Sequence, residues 1–321
     1  MHRVQDLGAR TRGVWTRAAA LRVASPAVVR ARVASGTWQR PWPGVYADGG
    51  LVLDAEQRAF AAVLASGGED QPRRDAQGRV RLRALACGRT AARVHGFVLI
   101  DDDDPVTGAR EHLQDEVAGW EHGRHLGQLP GPVLRRRQPV LEDGDLALAP
   151  SGLWLTSRAR TVADCAGLLS SEALVCLVDD ALHRGLVPLA ELERRAEGAR
   201  SPVLGQALLL ADARAESPGE TLARLLLRRV LPGLVPQVRV RDRAGRIVAR
   251  VDLGDEVLRL AVEMDGRRGH AGWARVADDH RRDAGTTALG WRTERGTWWD
   301  VRRGQAAFVR RVLTRAGHAA A

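Results

Sequence analysis

The chain contains no lysine: all 49 of its basic residues are arginine. Any catalytic or phosphate-clamping role that depends on a lysine ammonium is therefore excluded. Aromatics other than tryptophan are scarce, with three phenylalanines and one tyrosine against nine tryptophans. The three cysteines, Cys87, Cys165 and Cys176, are odd in number, lack metal-type spacing and sit among apolar neighbours. They read as reduced core residues, and no zinc site is expected. No run approaches the roughly 18 consecutive apolar residues of a membrane span. The N-terminal MHRVQDLGARTRG has no apolar core of the kind a secretory signal needs, so a cytoplasmic location without a membrane partner is expected.

What is present is a globular composition, 321 residues with 45% hydrophobic and 27% charged, long enough for two or three domains. The net charge of +10 is unevenly spread. Residues 1–50 hold 8 arginines against 2 acids and residues 217–321 hold 21 against 12, whereas residues 51–216 hold 20 against 25. A biased genome explains a lysine-free, arginine-rich chain but does not by itself segregate the charge. Two basic ends around an acidic middle are what a protein that meets DNA phosphates would carry.

Three segments follow: 1–50, 51–215 and 216–321. In the first, Thr16 caps a helix over residues 17–23, Ser25-Pro26 opens a second helix and Gly36 stops it. TWQRPWPGVYA then alternates apolar and polar residues around Pro43-Gly44, as a hairpin does. Helix, turn, helix and wing make a winged helix, in which Arg30 and Arg32 would enter the major groove and Arg40 would contact phosphate. The alternative is a small helical cap with solvated arginines. In the middle segment a helix is expected over residues 54–65 and a polar loop over residues 67–78. Residues 97–150 show little periodicity, and the acidic run Asp101–Asp104 reads as a solvated turn. Residues 151–200 carry three helices broken at Ser170-Ser171 and between Gly185 and Pro188, with His183 at a helix end. The last segment gives the order α-β-β-β-α-β-α, an α/β domain in a chain that is α+β as a whole.

That last segment holds the chemistry. Asp252 ends one expected strand, and Glu263 and Asp265, two apart, share a face of the next. Such carboxylates suit a hard divalent cation, magnesium or manganese, held by Asp252, Glu263 and the Met264 carbonyl with Glu220 as a further contributor. His270 is a candidate base or phosphate contact, and Arg281 and Arg282 are candidate phosphate clamps. The plainer reading is also open: acids at two strand ends, Asp265-Gly266 as a turn, and an ion-paired solvated helix face around Asp278, Asp279 and Asp283.

Glu220, Gln237, Asp252, Glu263-x-Asp265-Gly266, His270, Arg282-Asp283 and Gly290-Trp291, in this order, resemble the very-short-patch-repair-like endonuclease domain of the PD-(D/E)XK superfamily over about residues 216–317. GVWTRAAALRVASPAVVRARVASGTWQRPWPGVYA is similar to the winged helix of AbiEi-type antitoxins. The motifs GRTAARVHGF and LTSRARTVADCAG resemble those linking the two modules in actinobacterial proteins. The resemblance implies metal-ligand positions at Asp252 and Glu263 and a helix carboxylate at Glu220. It also places Asp265 where the superfamily has lysine, an inversion of charge at that position. Two functions follow: a metal-dependent DNA endonuclease oriented by the winged helix, or a DNA-binding regulator of antitoxin type that keeps the nuclease fold without cleavage. A toxin partner or a homo-oligomer is left open.

Overall fold

The computed structural model describes residues 7–68, 71–76, 80–100, 115–118, 134–137, 141–265 and 283–317. The chain is α+β and divides into two compact units, Met1–Leu169 with Ala190–Val203, and Ser170–Leu189 with Leu204–Ala321.

The first unit opens with β1 (Val14–Thr16), α1 (Arg17–Leu21), α2 (Pro26–Ala34), β2 (Trp38–Trp42) and β3 (Val45–Asp48). Local side chains set the helix starts: Thr16 Oγ1 accepts from the Ala19 amide at 3.2 Å and Ser25 Oγ from that of Val28 at 3.4 Å. Gly36, at φ 73°, supplies the left-handed residue just past α2. The strands form a sheet in the order β1-β3-β2. Its core is aromatic: Trp38, 2% exposed, meets Trp15 edge-on with centroids 5.2 Å apart and lies 6.0 Å from Tyr46.

Asp54 opens α3 (Ala55–Ala65) through a capping box with Gln57. This helix is buried along residues 59–64 and packs with Val14, Trp42 and Val45 of the small sheet and with Ala84, Ala86, Val117, Leu153 and Leu155 beyond it. Those last residues lie in and around a second sheet. After the short ladder of β4 (Arg73–Arg74) and β5 (Val80–Arg81) come β6 (Leu85–Ala86), α4 (Gly88–His95), β7 (Asp115–Ala118), β8 (Leu134–Arg137), β9 (Leu146–Leu148), β10 (Trp154–Thr156) and α5 (Arg158–Cys165). The strand order is β8-β7-β6-β10-β9. The sequence gives this region no sheet, and it reads residues 67–78 as loop throughout. Strands of two to four residues are too short to display a period of two.

α6 (Ser171–His183) belongs to the second unit, whereas α7 from Ala190 onward belongs to the first; α7 spans Leu189–Gly198 and α8 spans Pro202–Leu210. In the second unit α6 packs on α9 (Pro218–Leu227). The buried Asp179 of α6 accepts from Thr221 Oγ1, Arg224 Nη2 and the Asp212 amide, each at 2.7 Å. β11 (Val235–Arg241), β12 (Ile247–Asp255), β13 (Leu260–Asp265) and β14 (Arg292–Thr297) form one sheet in chain order. The first three are antiparallel neighbours, and β14 runs parallel to β13. A parallel neighbour requires a crossover, and residues 283–288 within that connection are helical. α10 (Trp298–Arg302) and α11 (Gln305–Ala316) complete the unit. Among the described residues, no helix is long and apolar enough to cross a membrane.

Candidate functional site

Asp252 lies on β12 between Gln237 of β11, a residue with left-handed backbone, and the end of the antiparallel ladder to β13. On the β13 side the ladder pairs Leu253 with Val262, so the next step sets Asp252 beside Glu263. There the aspartate takes over from the backbone: its Oδ2 accepts from the Met264 amide at 2.7 Å. On the β11 side Pro236 pairs with Leu253 and Val238 with Val251, leaving Gln237 between them at φ 60°. A non-glycine residue in that region is strained, and strain of this kind collects at functional sites.

Gln237 uses its position to reach α9. Its Nε2 donates to Glu220 Oε2 at 2.8 Å. Glu220 also accepts from the Glu216 amide at 3.0 Å and from Ser217 Oγ at 2.8 Å. The Ser217 hydroxyl accepts the Glu220 amide in turn, so one serine caps α9 and holds the carboxylate. Glu220 is 6% exposed. Burial raises its pKa above the usual carboxylate value and the charge of Asp252 raises it further, against the hydrogen bonds from Glu216, Ser217 and Gln237. Arg250 at the rim pairs with Glu216, the longer of its two contacts being 3.0 Å.

The structure therefore brings Asp252, Glu263 and Met264 together, with Glu220 close enough to sense the aspartate's charge. The contribution of Met264 that is visible is its amide rather than its carbonyl. Asp265 is exposed at the end of β13, level with Thr297 of β14. Arg295 of β14 stands level with Glu263 and donates to Asp283 at 2.7 and 2.9 Å. Only the parallel register discloses this cation beside the site. His270, Arg281 and Arg282 lie outside the described residues.

Among the described residues, no group of three or more His, Cys, Asp or Glu side chains is arranged to hold a metal ion. Magnesium, however, commonly binds through one or two carboxylates and keeps several waters. Asp252 and Glu263, at facing positions of β12 and β13, are carboxylates of the kind that donor set uses, and Glu220, which accepts three hydrogen bonds, keeps a lone pair for a cation as well.

At the other end of the chain, Arg30 on α2 and Arg40 on β2 are exposed, while the Arg32 guanidinium stacks 4.9 Å from the Trp38 ring. Two residues apart on a helix means about 200° around its axis, so Arg30 and Arg32 do not share a face. His183 closes α6 with its Nδ1 3.1 Å from the Ala213 carbonyl oxygen. Cys87, Cys165 and Cys176 are free thiols, all buried.

No family model matches the chain. It is 30% identical over 288 residues to "Uncharacterized protein MT2308" of Mycobacterium tuberculosis (strain CDC 1551 / Oshkosh) and, to the same degree, to "Uncharacterized protein Rv2248" of strain ATCC 25618 / H37Rv. Each alignment covers 88% of this chain and 93% of the relative. With identity of that level across almost the full length of both partners, the chain belongs to one family with these two mycobacterial proteins.

Proposed function

We propose that the protein binds DNA through an N-terminal winged helix and hydrolyses DNA phosphodiester bonds at the Asp252–Glu263 site with bound magnesium or manganese. The observation that carries this reading is the meeting of three irregularities at one aspartate: the strained Gln237, the buried Glu220 and the Met264 amide taken by Asp252. The α9-β11-β12-β13-β14 succession, with β14 parallel to β13, agrees with a restriction-endonuclease-like domain. So does the β1-α1-α2-β2-β3 order with a winged helix.

In this reading Asp252 and Glu263 hold the cation, which when bound supplies an acidified water and stabilises charge on the phosphate. Glu220, held by Gln237 and Ser217, adds negative charge beside Asp252, which a bound cation would offset. Arg295, level with Glu263, offers a guanidinium toward the scissile phosphate where a lysine is absent. The test is a cleavage assay on duplex, mismatched and single-stranded DNA with magnesium or manganese. Cleavage by the wild type, lost in Asp252→Ala by a factor of about 100 or more with the cooperative unfolding transition retained, is expected. Binding without cleavage on every substrate would instead establish the second reading, a DNA-binding regulator of antitoxin type. The exposed Asp265 favours that reading, because a carboxylate at the lysine position repels the phosphate.

A further inference from the structure

The first unit contains a cavity of about 570 Å³, within the range of about 300–1,000 Å³ in which small molecules bind. Its walls come from two parts of the unit. Trp15, Ala19 and Arg22 belong to β1, α1 and the turn after α1; Phe60 and Leu64 belong to α3, and Trp154 to β10. Phe60, Leu64 and Trp15 are otherwise buried, at 6%, 8% and 4% exposure, and Thr11, Thr16, Gln71 and Ser151 add polar groups to the lining.

Two features distinguish it from a packing defect. Trp15 and Trp154 both carry buried indole N–H groups that have no hydrogen-bond partner among the described residues. Both residues line the cavity, so an aromatic occupant would lie against indole rings on two sides. Second, Arg22 stands exposed at the rim and makes no ion pair among the described residues. A space with aromatic and polar walls, and at its edge a guanidinium that makes no ion pair among the described residues, has the chemistry to take an amphiphilic anion.

We propose that this cavity binds a small organic carboxylate with an aromatic body, the ring against Phe60, Leu64 and the tryptophans and the carboxylate on Arg22, and that its occupancy regulates DNA binding. The coupling follows from the wall. Arg22 and Val23 line the cavity and lead directly into Ser25, the cap of α2, so an occupant bears on the turn that sets the recognition helix of the proposed winged helix. The regulatory part rests on the DNA-binding reading given above; the binding part does not.

The experiment uses the full chain with indole-3-acetate and benzoate as probes and indole-3-ethanol as the uncharged control, followed by titration calorimetry and tryptophan fluorescence. Saturable binding of at least one carboxylate is expected, weakened about tenfold by Arg22→Glu with no change in the ligand-free melting curve. Ala19→Leu, which narrows the cavity without touching a charge, is expected to weaken it as well. DNA affinity measured with and without the bound acid should differ by about fivefold. No saturable binding of either carboxylate, or binding of indole-3-ethanol as tight as that of the acid, overturns the site. Ligand binding without any change in DNA affinity overturns the coupling. Ligand binding by a protein that holds no DNA at all upholds the site, overturns the regulatory role and marks the failure of the DNA-binding reading itself.

Discussion

His95 closes the last turn of α4 with its Nε2 2.8 Å from the Thr156 carbonyl oxygen and its ring edge-on to Phe97 at 5.8 Å. A helix C-terminus ordinarily favours an imidazolium by about 0.3–1 kcal/mol. Here burial outweighs that preference and the nearby Arg158 adds to it, so the pKa falls below the ordinary value although the Thr156 bond opposes the shift. In the folded chain the ring is neutral and its Nε2–H donates. The unfolded chain takes up a proton below about pH 6.5; the folded one resists until lower pH. The His95 contribution is thus fully present above the ordinary imidazole range and is lost as pH falls through it. The melting temperature of the wild type should drop between pH 7.5 and 5.5 more steeply than that of His95→Asn. Equal slopes in the two proteins would show that His95 is not the group being titrated. The residue lies in GRTAARVHGF and its partner Thr156 in LTSRARTVADCAG. Both motifs are visible in the sequence as linkers, but their joining through one hydrogen bond is not, because nothing local encodes it.

The same contrast between local and distant partners runs through the elements. Helices α1, α2, α3, α5, α6 and α9 start at Thr16, Ser25, Asp54, Ser157, Ser170 and Ser217, each accepting from an amide three residues on. These starts are legible because cap and helix are neighbours in the chain. α4 is different: Cys87 precedes it without a side-chain cap. Glu116 of β7 does the work instead, accepting from the Arg89 amide at 2.9 Å and from its guanidinium at 2.6 and 2.9 Å, while the Glu116 amide donates to Thr90 Oγ1 at 2.8 Å. Gly88, at φ 53°, makes the approach possible, since a Cβ there would lie 2.6 Å from Leu168 and 3.3 Å from the Glu116 side chain. The Glu116 side chain is fully buried and that of Arg89 only 13% exposed. Removing one partner of such a pair leaves an unmatched buried charge, at a cost of about 3–5 kcal/mol. Loss of an exposed cap such as Asp54 costs about 1 kcal/mol. Glu116→Ala is therefore expected to destabilise the first unit several times more than Asp54→Ala, as read by denaturant midpoints. Comparable losses would mean that the pair is replaced by water. No sequence pattern points to Glu116, and strands as short as β6 and β7 leave no periodic trace of the sheet that positions it.

Across the whole molecule, the arginine-only composition has two uses that a charge count cannot separate. Guanidinium forks suit buried carboxylates, and Arg89, Arg160, Arg195 and Arg224 are committed that way to Glu116, Asp145 with Asp164, Asp145 and Asp179. The excess at the two ends is therefore the part to ask about. In the carboxylate site, strand period made Asp252 and Glu263 legible as neighbours, whereas the engagement of Glu220 by Gln237 depends on a backbone irregularity with no sequence signature. In the N-terminal segment, Arg30 and Arg40 are exposed and make no ion pair among the described residues, but Arg32 is spent on Trp38. If the winged helix lies on DNA, neutralised phosphates set the slope of log affinity against log salt, about 0.9 per contact. Arg30→Ala and Arg40→Ala should each lower that slope by about 1 at unchanged stability. Arg32→Ala should leave the slope nearly unchanged and instead destabilise the Trp15–Trp38–Tyr46 core by about 0.5–1 kcal/mol, the usual worth of a partly exposed cation–π contact. Anisotropy titrations of a labelled duplex over a series of KCl concentrations distinguish the three variants. A slope that Arg32→Ala reduces as much as the other two would place all three arginines on phosphate, and would require α2 to turn Arg32 away from the indole when DNA is bound.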